Sequence, residues 1–173
     1  MGAHGLIVGF IVAQRLAELL YGKRNLTRLV ARGGIVADEP GYRWIVLVHA
    51  GWLLALAFLV PADAPVYMAF LALYGALLLF RVWVMASLGP YWTTRIVTMP
   101  GAPLRANGPY RWLNHPNYLL IAGELAVAPL IFGAWQIAAV ALVAHAIVTR
   151  QRIALEDKVL AERRRSGGAV SGL

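Results

Sequence analysis

The sequence predicts an all-α fold: a polytopic membrane protein of about five transmembrane helices, with a cytosolic loop and a C-terminal helix. Three observations carry that expectation. Of the 173 residues, 60% are hydrophobic and only 14% charged, where a soluble domain has about 25% charged residues. Mean hydropathy is +0.65, more apolar character than one small core can bury. Finally, 14 of the 16 Lys and Arg residues fall in three polar stretches, 22–43, 89–117 and 150–165, with long apolar runs between them. That spacing follows the positive-inside rule and speaks against nucleic acid, despite a formal charge of +8.

A bilayer core about 30 Å thick needs roughly 20 apolar helical residues. Five segments approach this: 4–21, 44–60, 66–88, 118–132 and 135–149, the last two short. The first carries no Lys or Arg before Gln14-Arg15, and Glu18 interrupts where a cleavage region would lie, so it reads as a retained helix rather than a signal peptide. Lys23, Arg24, Arg28, Arg32 and Arg43 mark the first loop as cytoplasmic, whereas Pro61-Ala62-Asp63-Ala64-Pro65 has no cation. Arg95, Arg105 and Arg111 mark the third loop, Gly133-Ala134 is a bare turn, and Arg150, Arg152, Lys158 and the run from Arg163 to Arg165 mark the C-terminal segment. Five spans with an external N-terminus and a cytoplasmic C-terminus satisfy every loop. Residues 1–165 form one membrane domain, and the Gly- and Ser-rich 166–173 reads as a disordered tail.

No strand pattern, P-loop or dinucleotide fingerprint is evident, and there is no internal repeat. The chain has no cysteine, which removes disulfides, thiolate metal sites and a cysteine nucleophile; no metal site is expected.

The chemistry concentrates after the third span. The 89–117 connection is long, yet Trp92, Tyr110 and Trp112 with Pro100, Pro103, Pro109 and Pro116 give it an ordered character, with turns at Gly101 and Gly108. It ends in Asn114-His115-Pro116-Asn117-Tyr118. Pro116 suits a first helical turn, whose free N–H groups, with His115 and Tyr118, can bind an anionic group. Beyond the fifth span, Arg152 and Glu156 stand four residues apart on one helical face, which by itself describes a solvated ion pair. Arg15, Glu18, Arg81 and Glu124 lie within spans. Arg15 with Glu18 reads as a structural pair and Arg81 as a snorkelling side chain. Glu124 is the hardest to explain structurally, and together they suggest a polar pocket open to the cytosol.

At these residues the sequence resembles the isoprenylcysteine carboxyl methyltransferase family. The match lies in His115-Pro116-Asn117-Tyr118 and in Arg152-Ile153 followed by Glu156-Asp157, with one helical hairpin between. Gln14-Arg15-Leu16-Ala17-Glu18, Lys23-Arg24-Asn25 and Trp92-Thr93-Thr94-Arg95 are similar to its bacterial branch. The chain departs from the family at Asn114, usually Arg, at Leu120, often Gly, and at Asp157, usually Glu.

The resemblance implies an S-adenosylmethionine-dependent methyltransferase in a bacterial inner membrane. Its cofactor pocket is formed at the cytosolic face by the loop, the last two helices and the C-terminal helix. By resemblance, Tyr110, Leu113, His115, Pro116, Asn117 and Tyr118 contact the cofactor. Arg152 and Glu156 position the substrate and the reacting group, with Arg95 and Glu124 on the substrate side. The expected acceptor is a lipophilic small molecule or prenylated substrate, either a prenylcysteine-like carboxylate or the hydroxyl of a phenolic or polyketide lipid, entering sideways from the membrane lipid. A carboxylate needs no base, whereas a phenol does, with Glu156 or His115 the first candidates. The alternatives are a phospholipid N-methyltransferase or a non-enzymatic transporter or assembly subunit; no inverted repeat supports a transporter.

Overall fold

A computed structural model describes residues 2–100 and 107–169, with side chains described to residue 162. Five helices run in chain order: α1 (Ala3–Ala31), α2 (Tyr42–Phe58), α3 (Met68–Leu88), α4 (Pro116–Leu130) and α5 (Trp135–Ala169). Three of them, α1, α3 and α5, are long and apolar enough to cross a membrane; α2 is a shorter apolar helix, as is α4 with 15 residues. Many large apolar side chains point outward, among them Leu20 at 69%, Phe58 at 79%, Leu79 at 74% and Val140 at 70% exposed. Lipid, not water, suits such a surface.

Two helices outrun their apolar spans. α1 continues through the basic stretch to Ala31 because its inward stripe persists: Gly22, Asn25 and Leu29 are buried after Val8, Ile11 and Arg15. At Gly22 a Cβ would stand only 3.1–3.3 Å from Thr94 and Trp92, so the glycine lets the long loop lie against the helix. Asn25 then donates to the Trp92 carbonyl at 2.9 Å. The fifth span and the expected C-terminal helix are one unbroken rod of 35 residues. It extends through Ala169 into the stretch expected to be disordered, while residues 170–173 of that tail lie outside the described residues.

Contrary to the strandless reading, a two-stranded antiparallel pair joins the first and third connections: β1 (Ile35–Val36) and β2 (Val97–Thr98), with Ile35 opposite Thr98 and Val36 opposite Val97. Two residues per strand are too few to show alternation in sequence.

The apolar core occupies the half of the bundle away from the loop. Val8 and Ile11 of α1, Trp52 and Leu56 of α2, and Leu125 and Ala128 of α4 pack there, closed by Ile131 and Phe132 after α4 and by Ala141 of α5. The α4–α5 turn is held by the Tyr67 N–H, which donates to the Ile131 carbonyl at 2.8 Å. The other half of the bundle is polar inside.

Candidate active site at the loop-facing end of the bundle

Midway along the helices, two arginines and two carboxylates from three helices interlock. Arg15 Nη1 lies 2.9 Å from Glu18 Oε2 and its Nη2 2.5 Å from Glu124 Oε2. Arg81 reaches Glu18 at 3.1 Å, donates from Nε to Glu124 Oε1 at 2.7 Å, and adds a second contact to Glu124 Oε2. Gln14 donates to Glu18 at 2.8 Å and receives the Tyr74 hydroxyl at 3.0 Å. The four charges cancel, and each carboxylate faces two guanidiniums, which is the condition under which buried charge is tolerated. Arg81 is 4% exposed, so it does not snorkel. It is one of the cluster's four charges.

Above the cluster opens a cavity of about 220 Å³. Arg15, Glu18 and Arg81 line one end; Trp92, Thr93, Thr94 and Arg152 line the end under the loop. Between them Ile45, His49 and Leu53 of α2 face Tyr118 and Ile121 of α4 and His145 of α5. Glu124, 0% exposed, is not part of this wall. It sits behind the two arginines, and any hold it has on a substrate passes through them.

The motif residues converge on the loop-facing stretch of α5. The Tyr118 hydroxyl donates to Glu156 Oε2 at 2.6 Å. His115 lies 3.0 Å from Asp157 through Nε2 and 3.5 Å from Glu156 through Nδ1, and its ring sits 5.5 Å from that of Tyr118. Burial, with the Glu156 carboxylate nearby, pushes the Tyr110 phenol above its ordinary value and keeps it protonated. Pro116 is buried at the first turn of α4, Leu113 is 38% exposed, and the Asn117 side-chain oxygen is buried without a partner. Gly108 (φ +57°) places this segment: a Cβ there would lie 2.0 Å from Ser87 Oγ, so only glycine lets the loop settle on the end of α3. Gly101, Pro103 and Arg105 of the loop lie outside the described residues.

Arg152 is fixed from several directions. Its Nη2 donates to the Thr94 carbonyl at 2.6 Å, and its guanidinium stands 5.8 Å from the ring centres of both Tyr42 and Tyr118. Its Nε faces Glu39 Oε2 at 3.5 Å. Glu39 is 7% exposed, and its other oxygen takes the Ile96 N–H at 2.7 Å and Arg95 Nε at 3.1 Å. Arg95 itself lies 4.5 Å over the Tyr42 ring, beside Arg152 rather than in the cavity wall.

The sequence reading missed Glu39, Tyr42, His49 and His145, and named Thr94 only as part of a motif, with no role. Some signal was present. Tyr42 and His49 are seven residues apart, and His145, Thr149 and Arg152 share one helical face at spacings of four and three, polar stripes on otherwise apolar helices. Glu39 offered none, since only the chain's return brings it to Arg152. Among the described residues no cluster of His, Asp and Glu could hold a metal ion.

The sequence profile of the Isoprenylcysteine carboxyl methyltransferase (ICMT) family matches residues 68–162, the stretch from α3 through α5 that holds all these motif residues. The chain belongs to the ICMT family. A relative from Bacillus subtilis (strain 168), Uncharacterized protein YpbQ, is 30% identical over 161 residues, covering 91% of this chain and 96% of the relative. No solved structure matches. ICMT proteins are S-adenosylmethionine-dependent methyltransferases, and three helices of this chain are long and apolar enough to cross a membrane. Half of the cavity wall lies outside the profile: Arg15, Glu18, Tyr42 and His49 come from α1 and α2.

Proposed function

We propose that the protein is an S-adenosylmethionine-dependent O-methyltransferase for a lipophilic acceptor, working at the cytoplasmic face of a bacterial inner membrane. The observation that carries this reading is one shared wall. Tyr118 and Arg152 border the membrane-embedded cavity, and Tyr118 also binds Glu156 within the family's motif.

The residues present fit the cofactor's chemistry. Glu156 and Asp157 offer carboxylates to its ammonium and ribose hydroxyls, the first turn of α4 offers amide hydrogen to its carboxylate, and the orphaned Asn117 oxygen accepts one more donor. Tyr110, Leu113, His115, Pro116 and Tyr118 line its place. Aromatic faces there stabilise a sulfonium by about 0.5–2 kcal/mol. When bound, the cofactor supplies a methyl group activated by positively charged sulfur.

The chain's own residues hold the acceptor. Arg152, fixed by Thr94, Tyr42 and Glu39, presents a rigid donor to the acceptor oxygen, and Glu156 orients the reacting end through Tyr118. Arg95 covers Tyr42 from outside, and Glu124 sets the two arginines at the cavity's far end. The apolar stretch of the wall, Ile45, Leu53 and Ile121, takes the lipid tail, and the acceptor is a prenylcysteine-like carboxylate or a phenolic or polyketide hydroxyl.

The test is calorimetric titration of S-adenosylmethionine into protein in nanodiscs. Micromolar binding, weakened by His115→Ala and Glu156→Ala, is expected. Absence of binding by folded wild type in both detergent and nanodiscs overturns the reading.

A further inference from the structure

The cavity contains two imidazoles for which the motif chemistry has no use. His49 of α2 and His145 of α5 both line it, with ring centres 6.4 Å apart and planes nearly perpendicular. His49 Nδ1 stands 2.8 Å from the Ile45 carbonyl oxygen, one turn back on its own helix. A carbonyl can only accept, so the ring hydrogen is on Nδ1 and the lone pair of the neutral ring is on Nε2. Among the described residues nothing hydrogen-bonds that second nitrogen. His145 is different, since the Thr149 hydroxyl lies 3.2 and 3.4 Å from its two ring nitrogens.

The groups facing His49 are suited to an oxygen that loses a proton. Arg15 and Glu18 of α1, Arg81 of α3, Tyr118 of α4 and His145 of α5 border the same space. The cluster is neutral as a whole, but Arg15 and Arg81 are already held in place by Glu18 and Glu124, so their donors are fixed before charge develops. The other candidate bases are elsewhere. Neither Glu156 nor His115 lines the cavity. Glu156 accepts the Tyr118 hydroxyl at 2.6 Å and His115 pairs with Asp157 at 3.0 Å.

Resting on the methyltransferase reading above, we infer that His49 Nε2 is the general base for a lipophilic acceptor bearing an acidic hydroxyl, a phenol in the simplest case. A carboxylate arrives deprotonated and leaves this nitrogen idle; a phenol needs it. The acceptor's O–H bond breaks and its proton passes to Nε2. The same oxygen bonds the methyl carbon as that carbon's bond to the sulfonium sulfur breaks, the electron pair staying on sulfur. The imidazolium then releases its proton to water, so each turnover yields a methyl ether, a neutral thioether and one proton.

The test needs no turnover to begin. The probe is para-dodecyl-ortho-nitrophenol, whose visible colour reports ionisation, titrated into full-length protein in phosphatidylglycerol–phosphatidylethanolamine nanodiscs with S-adenosylhomocysteine present. Bound to wild type it ionises roughly one pH unit lower than in empty nanodiscs. His49→Asn keeps an amide donor for the Ile45 carbonyl but has no base, and it shrinks that shift to the part Arg15 and Arg81 supply; His49→Gln, the second variant, does the same. With labelled S-adenosylmethionine, both variants lose about 100-fold in methylation of para-dodecylphenol but no more than about fivefold in methylation of para-dodecylbenzoate, and bind S-adenosylhomocysteine within about twofold of wild type. Equal ionisation in wild type and variants overturns the assignment, as does failure of the nitrophenol to bind or faster methylation of the benzoate than of the phenol by wild type. Failure of wild type to bind S-adenosylhomocysteine sinks the methyltransferase reading instead, and the colour shift still decides for or against His49.

Discussion

The same helices build two unlike halves. Away from the loop, α1, α2, α4 and α5 meet through Val8, Ile11, Leu56, Ala128 and Ala141 in one apolar cluster. Toward the loop they stand apart around a cavity, held by ion pairs and hydrogen bonds between Arg15, Glu18, Arg81 and Glu124. In lipid, apolar contact between helices gains little over contact with acyl chains, so packing shape and polar pairing carry association. The far half uses the first device and the near half the second. A directional network can hold helices around open space, which close packing cannot do.

Substitutions in both halves test that contrast, in descending order of effect. Glu124→Ala leaves two buried guanidiniums sharing one carboxylate and costs about 3–5 kcal/mol, read as loss of thermal stability in detergent; adding Arg81→Leu recovers part of it. If the single change costs nothing, the near half is not held electrostatically. Ile131→Ala in the far half costs about 2 kcal/mol by opening a void, but leaves S-adenosylmethionine affinity unchanged. Glu39→Gln keeps an acceptor for the Ile96 N–H while removing the charge opposite Arg152. We expect about a tenfold fall in turnover, near 1.4 kcal/mol, with little change in stability or cofactor binding; a parallel loss of stability would make Glu39 merely structural.

The smallest effect concerns pH. The Tyr110 phenol is raised above its ordinary 10.0, so the folded state holds this proton more tightly than the unfolded chain does. Its contribution to stability is complete below the ordinary value and is lost as pH rises through the folded one. Tyr110→Phe therefore flattens the alkaline side of the stability–pH curve and leaves it unchanged near neutrality.

Much of the architecture was legible because spans are long and strongly apolar. The starts and ends read from hydropathy fall within two residues of the observed ones for α2, α3 and α4. The extension of α1 was not, since it continues through charged residues where hydropathy falls and only the buried stripe of Gly22, Asn25 and Leu29 persists; the C-terminal helix was expected, but not its unbroken continuation from the fifth span. Motif residues His115, Tyr118, Arg152 and Glu156 were named together and stand together. The partner of Arg81 was hidden because pairing across 43 residues depends on how α3 and α4 dock, and Glu39 was hidden for the same reason. His49 looked like any polar residue in an apolar helix until the opposite wall was visible.

The order of the buried charges along the chain bears on how the protein is made. A charged residue at the centre of an inserting helix costs about 2.5–3.5 kcal/mol. Arg15 and Glu18 lie 2.9 Å apart on one helix, so α1 can be laid into the bilayer as a neutral unit. When α3 arrives with Arg81, Glu18 is already there to receive it, at the 3.1 Å seen in the finished fold. Glu124 comes last and finds two cations waiting. Synthesised from the N-terminus, each newly inserted span meets its counter-charge already in the membrane, so assembly follows the ribosome's own sequence of delivery.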